Sequence, residues 1–327
     1  MTATELNFHR RLSVAPMLDF TDRHERYFLR LLTKETLLYT EMIVANALLH
    51  AGPRFLAHNE IEQPVALQLG GSDPKMLTEC ARIVEDAGFV EVNLNCGCPS
   101  ERVQCGSFGA CLMKEKNLVA ECVSAMRAKV KIPVTVKTRI GVDEFNSWEF
   151  FLDFIKTVAS AGCDTFIIHA RTARLKGYTP KENRERPELH YEVVYRLKQE
   201  LPQLNISING GITTLENAKE ALTHVDGVMM GRAPYANPWL LANADSLIFG
   251  RKDSSPATRK ALLEAYLPYM QQQLSEGCPL SIMTKHLYGL FSGFPGGRRY
   301  RQILSEESPK VEATLDVVRL AMNAVSE

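Results

Sequence analysis

Short apolar runs recur along this chain, and each is followed by a stretch with helical punctuation. Eight of them, at 12–17, 37–42, 65–69, 90–94, 134–138, 165–169, 205–209 and 227–230, read as strands. Their continuity, rather than alternation, is the pattern of strands covered on both faces. Between them, Ser72-Asp73-Pro74 supplies a helix cap and a first-turn proline. Leu77, Cys80, Ala81 and Val84 then recur at helical spacing, and Gly88 ends the segment. Thr213-x-x-Glu216 has the form of a capping box before a short helix reaching Leu222. Strand then helix, repeated eight times in about 230 residues, predicts an α/β fold, a (β/α)8 TIM barrel. The rival, an open doubly wound sheet, lacks its glycine-rich fingerprint after the first run.

After Trp239 the strand rhythm stops. Residues 256–276 read as one amphipathic helix with Leu262, Leu263, Tyr266, Leu267 and Met270 on its apolar face. Residues 281–290 and 311–325 also read as helices, and 289–301 as a glycine-rich, basic and aromatic connector. The expected division is a barrel over 1–244 and a small all-helical domain over 245–327, joined through the polar stretch 245–255.

Composition narrows the class. The chain has 327 residues, 45% hydrophobic and 23% charged, enough apolar material for a large core. No apolar run approaches the roughly 20 residues of a membrane span. The first eleven residues are polar and basic, without a secretory pattern, so a cytoplasmic setting and reduced thiols are expected for its eight cysteines. Basic and acidic residues balance at 38 each, which excludes a globally basic nucleic-acid binder. Local patches survive that balance. Residues 171–186 hold six basic and two acidic residues, and 285–301 hold four Lys or Arg and no acid, net +4 each. Arginine forks and glycines in such patches suit phosphates, so a cleft for a long polyanion is expected.

In a barrel of this kind chemistry collects at the C-terminal ends of the strands. Those positions carry Met17 and Asp19, Glu41, Gln68, Asn95 with Cys96 and Cys98, Lys137 and Arg139, His169 and Arg171, Asn209-Gly210-Gly211, and Gly231-Arg232. Glycines after the seventh and eighth runs, with Arg232, match a phosphate cradle. Lys137 suits a place beside a planar cofactor whose ring gains negative charge, and His169 suits either the phosphate or a packing role. Cysteines 96, 98, 105 and 111 lack the pairing of a zinc or iron–sulfur site, so no metal is expected. Cys98, between Gly97 and Pro99 at a strand mouth, reads instead as a proton-donating thiol.

A series of motifs carries a resemblance. Val14-Ala15-Pro16-Met17-Leu18-Asp19, Gln68-Leu69-Gly70-Gly71, Asn93-Leu94-Asn95-Cys96-Gly97-Cys98-Pro99-Ser100, Lys137-Thr138-Arg139, His169-Ala170-Arg171, Asn209-Gly210-Gly211 and Met230-Gly231-Arg232 stand in one order. That series resembles the tRNA-dihydrouridine synthases across nearly the whole barrel. The late Arg298-Arg299-Tyr300-Arg301 is similar to their A subfamily, which acts on D-loop uridines 20 and 20a. The resemblance implies an FMN-containing barrel, a helical tRNA-binding domain, and NADPH-driven reduction of uridine to 5,6-dihydrouridine. It places Pro16, Met17, Leu18, Gln68, Lys137, His169, Asn209, Gly210, Gly211, Gly231 and Arg232 on FMN. Cys98 becomes the catalytic acid, giving a proton to C5 as hydride reaches C6. Asn95, Arg139, Arg184, Arg299 and Arg301 fall to the uridine and its tRNA. A monomer with neither membrane nor metal partner is expected.

Two other readings fit part of the sequence. A flavin barrel reducing a free pyrimidine or other small enone uses the same barrel face but leaves the appended arginines idle. A non-catalytic RNA-binding barrel has no use for Cys98 beside a phosphate cradle.

Overall fold

In the computed structural model eight parallel strands close into a barrel in chain order. They are β1 (Leu12–Val14), β2 (Leu37–Val44), β3 (Val65–Gly70), β4 (Glu91–Cys96), β5 (Val134–Arg139), β6 (Thr165–His169), β7 (Asn205–Asn209) and β8 (Gly227–Met230). Every backbone position is described, and every side chain but those of Pro53, Arg102 and Cys105. The TIM barrel expected from the repeat is the fold observed. β1 stops at Val14 rather than 17, because Pro16 has no N–H for the ladder.

The strands alternate with α1 (Arg23–Arg30), α2 (Ala45–Ala51), α3 (Pro74–Asp86), α4 (Lys116–Arg127), α5 (Trp148–Ser160), α6 (Tyr191–Glu200), α7 (Leu215–Ala221) and α8 (Ala244–Phe249). Asp73 caps α3 through Met76 N, with Pro74 in the first turn, as the sequence suggests. The cap of α7 lies one residue beyond the expected Thr213. Thr214 has the extended backbone of a cap, and its hydroxyl accepts Asn217 N at 3.1 Å.

The strands are buried on both faces, but the two faces differ. Outward residues such as Val65, Leu67, Leu69, Val92, Leu94, Phe166 and Ile168 pack with the helices in one large core. The apolar filling inside the barrel is small: Ala15, Leu37, Tyr39, Ala66, Ile167 and Met229, joined by Leu6 from the N-terminal helix. Much of the remaining interior is polar. Ser13, Gln68, Glu91, Asn93, Asn95, Thr135, Ser207 and Asn209 are all buried.

Beyond β8 the chain is helical, with α9 (Arg259–Ser275), α10 (Leu280–Thr284), α11 (Gly297–Glu307) and α12 (Asp316–Asn323). The basic connector expected over 289–301 is a run of turns only as far as Gly296; Gly297 opens α11, and Arg298, Arg299 and Arg301 lie on its exposed side. Tyr300, Ile303 and Leu304 supply its buried side, a periodicity that three arginines obscure. Residues 281–290 and 311–325 are shorter as helices than expected, Leu280–Thr284 and Asp316–Asn323.

The helical segment docks on α1. Tyr266 donates to His24 O at 3.1 Å, and the Tyr269 hydroxyl meets His24 Nδ1 at 2.8 Å. Tyr27 stacks on Tyr269 at 3.9 Å, and His286 reaches Asp22 at 2.9 Å. Asp245 is a buried anchor at the seam, accepting Thr33 Oγ1 at 2.6 Å, Lys34 N at 2.9 Å and Glu35 N at 3.2 Å.

Candidate active site

At the C-terminal ends of β3–β7 the strands carry Gln68, Asn95, Lys137, His169 and Asn209 to one mouth. Adjacent strands pair Asn95 with Lys137 and His169 with Asn209. Gln68, Asn95, His169 and Asn209 are nearly inaccessible, whereas Lys137 is partly open. Lys137 Nζ donates to Asn209 Oδ1 at 3.1 Å, and Asn209 in turn donates to Met229 O at 2.8 Å.

The electrostatics of this mouth are one-sided. Among the described residues no carboxylate pairs with Lys137, Arg139 or His169. Desolvation, reinforced by the Arg139 guanidinium, pulls the Lys137 ammonium down to about 7. Burial, with Arg139 and Lys137 nearby, pushes His169 well below its ordinary value, so it is a neutral imidazole at pH 7. Buried cationic groups left without a carboxylate partner make a place for an anionic ligand.

Cys98 sits on the loop after β4, half-buried. Three contacts fix its backbone. Cys98 N and Gly97 N donate to Asn95 Oδ1 at 3.0 and 3.1 Å, and Ala110 N donates to Cys98 O at 2.9 Å. Its sulfur lies 3.6 Å from Ser100 Oγ. Cys96 points instead into the outer core, wholly buried, where desolvation drives its thiol well up. The two neighbours are therefore a packing thiol and a mouth thiol.

Arg139 is buried too. Its Nε donates to Gly97 O and its terminal nitrogen to Asn183 O, both at 3.0 Å, tying the Cys98 loop to the basic loop 171–186. Asn183 is wholly buried and holds that loop through Arg174 N and O. Arg184 is exposed on it, and Arg232 pairs with Glu185 at 2.5 Å. After β7, Gly210 has φ 111°, and a Cβ there would lie 2.5 Å from His169 Cδ2. Met17 and Pro16 line the end of β1 half-buried, and Leu18 beside them is exposed. Arg299 and Arg301 are exposed on α11, away from the strand ends in sequence but on the segment docked to α1.

A family model described as dihydrouridine synthase matches residues 13–326, the whole barrel but for the first residue of β1. The chain belongs to the dihydrouridine synthase family. Dihydrouridine synthases are flavin-dependent oxidoreductases. The chain is 54% identical over 325 residues to the tRNA-dihydrouridine(20/20a) synthase of Escherichia coli K12, covering 99% of this chain and 94% of that one. The protein of the same name from Shewanella oneidensis is 54% identical over 98% of this chain and 95% of its own. That of Yersinia pestis is 55% identical over 97% and 92%. A solved 2-naphthoyl-CoA reductase complex shares the fold alone, with a TM-score of 0.58 at 13% identity over 74% of this chain and half of that one.

Reading strand ends finds the mouth of this dihydrouridine synthase but not what lies under it. Glu91, Asn93 and Thr135 are absent from the sequence-derived candidates, although Glu91-x-Asn93-x-Asn95 has the period of one strand face. Lys285 is missed for another reason. It reaches from the helical segment to Asp19 O at 3.0 Å, while Asp19 N donates to Glu41 Oε1 at 2.5 Å. These two contacts accompany a φ of 66° at Asp19, a left-handed conformation that aspartate adopts more readily than most residues with a side chain.

Proposed function

We propose that this chain reduces uridine to 5,6-dihydrouridine in the D-loop of tRNA, at positions 20 and 20a, with FMN as cofactor and NADPH as electron donor. The observation that carries this is a thiol at the mouth of the barrel, on a loop pinned by Asn95, beside a desolvated lysine that no carboxylate pairs among the described residues. The residues fit a flavin phosphate and ring. Lys137 has no anionic partner among the described residues, and Gly210 brings its backbone against His169 where a Cβ would collide with the ring. Pro16, Met17, Leu18, Gln68, Lys137, His169, Asn209, Gly210, Gly211, Gly231 and Arg232 would hold the flavin. When bound, it supplies hydride chemistry.

The chain's own groups do the rest. Asn95 orients the uracil ring at the mouth. Cys98 gives its thiol proton to C5 as C6 receives hydride, so the C5=C6 double bond becomes single and the thiolate regains a proton from solvent. Arg139 keeps the Cys98 loop and the basic loop in register. A tRNA uridine must leave its stack to reach the mouth, at a cost of a few kcal/mol. Arg184 on the basic loop, with Arg299 and Arg301 on α11, offsets that cost by holding phosphates. In this reading residues 1–244 are the catalytic unit and 245–327 the tRNA-binding unit, and the enzyme works as a cytoplasmic monomer. Among the described residues no helix is long and apolar enough to cross a membrane, and no metal-binding cluster is found.

An anaerobic experiment tests this. The flavin-loaded protein is bleached with NADPH, and dihydrouridine-free tRNA, uridine or orotate is then added. Colour should return with tRNA alone. Return with a free pyrimidine alone would sink the tRNA assignment. Cys98→Ala should bleach with NADPH and bind tRNA normally, yet lose about a hundredfold or more in dihydrouridine formation.

A further inference from the structure

Glu91 opens β4 at the end of the barrel opposite the mouth and is wholly buried. Its Oε2 accepts Arg10 Nε at 2.9 Å and a terminal nitrogen of Arg10 at 2.6 Å. Its Oε1 accepts the hydroxyls of Tyr39 and Thr135, each at 2.6 Å. A carboxylate paired with a guanidinium only accepts. Thr135 thus directs its one proton down the barrel and offers Asn93 lone pairs alone.

Asn93 must answer with its amide nitrogen, and Nδ2 lies 2.8 Å from Thr135 Oγ1. That turns Asn93 Oδ1 to Gln68, whose Nε2 donates to it at 2.8 Å. Gln68 Oε1 then accepts Asn95 Nδ2, again at 2.8 Å. Asn95 Oδ1 is left for Gly97 N and Cys98 N. Those backbone N–H groups are fixed donors, so both ends of the chain of bonds demand the same orientation of all three amides. A one-way relay therefore runs through the barrel from Glu91 to the Cys98 loop.

We propose that Glu91, Thr135 and Asn93 are positioning residues that hold Gln68 and Asn95 as hydrogen-bond donors toward the mouth and keep the Cys98 loop seated. This rests on the uridine-reducing reading above. Among the described residues Gln68 Nε2 and Asn95 Nδ2 each make one hydrogen bond, so each keeps a second N–H. The ring carbonyls of uracil and of a flavin are acceptors suited to those N–H groups. An inverted Asn95 sets oxygen against oxygen at the base and takes the acceptor away from Cys98 N. The low dielectric of the interior makes such a mismatch costly, which is why a buried group far from the base can govern its orientation.

Thr135 gives a clean test. Thr135→Val keeps the shape and removes the hydroxyl, whereas Thr135→Ser keeps it. Tyr39→Phe removes a different donor to the same Glu91 oxygen and leaves the relay whole. Thr135→Val should lower kcat for dihydrouridine formation about tenfold, leave KM for tRNA within about twofold, and shift the flavin absorption band. Thr135→Ser should restore both kcat and band, and Tyr39→Phe should disturb neither even if it costs comparable thermal stability. Turnover that follows thermal stability alike in Thr135→Val and Tyr39→Phe overturns the positioning role, as does a fully active Thr135→Val. Should the valine variant not fold, Thr135→Ala is read against Thr135→Ser in the same assays. Wild-type protein that binds flavin but leaves tRNA uridine untouched overturns the functional reading and this inference with it. Active wild type with unimpaired Thr135→Val overturns the inference alone.

Discussion

Lys137 shows how much a single side chain depends on its surroundings. In water it is an unremarkable cation, but at the mouth desolvation and the Arg139 guanidinium pull it to about 7. Between that value and the ordinary lysine range the unfolded chain holds a proton that the folded chain lacks. Folding stability of flavin-free protein therefore rises with pH across this window, and the lysine's cost is greatest below it. Comparing urea midpoints of flavin-free wild type and Lys137→Met at pH 7 and pH 9 should show wild type gaining on the variant as pH rises. The gain should be on the order of 1 kcal/mol. An unchanging gap would mean the ammonium is solvated in the folded protein. An anionic cofactor bound at the mouth would favour the charged lysine, so flavin-loaded protein should show a smaller pH effect.

At the scale of elements, the basic loop 171–186 and α11 carry the case for a polyanion, and they are built differently. The loop is organised from inside by Asn183 and tied to the Cys98 loop through Arg139. It presents Arg184 beside the mouth. On α11 the arginines occupy the first turns, where the helix dipole disfavours cations. Arg299 makes one contact within the helix, donating to Gln302 Oε1 at 3.0 Å, and the three arginines together concentrate positive potential on an exposed face. Arg184→Ala and Arg299→Ala should each weaken tRNA binding several-fold and reduce the slope of log affinity against log salt by about one. NADPH should still bleach the flavin at the wild-type rate. Unchanged affinity and slope in both variants would remove the cleft from the account.

The whole molecule depends on the fit of the helical segment against the barrel. Gly289 marks a close backbone approach, since a Cβ there would lie 2.2 Å from Ala236 O in the chain just past β8. The obstacle is backbone, so relief requires the segment to move. Gly289→Ala should destabilise the protein by about 1–3 kcal/mol and loosen tRNA binding while flavin content stays near wild type. Thermal unfolding and tRNA titration read the two effects separately. Wild-type stability and affinity would show that the seam tolerates displacement. The same seam carries Lys285 to Asp19, so the loop holding Leu18 is shaped from both sides of the junction.

The eight-strand repeat, the run of strand-end polar residues and the Cys98 motif were legible in the chain because each is local. A strand buried on both faces, a proline-led helix and a glycine turn are all dictated within a few residues. The Thr213 cap and the basic connector misled because the deciding facts were an extended backbone one residue later and a buried Tyr300 among arginines. Why Cys96 and Cys98 differ was not legible, since burial is a property of the packed barrel. Nor was the relay from Glu91, whose members come from β3, β4 and β5 and meet only when the register sets Gln68 opposite Asn93 and Asn93 opposite Thr135. Local patterning set the strands, most of the helices and the residues that reach the mouth. Closure of the barrel decided which polar groups lost water together, and therefore which way each amide had to point.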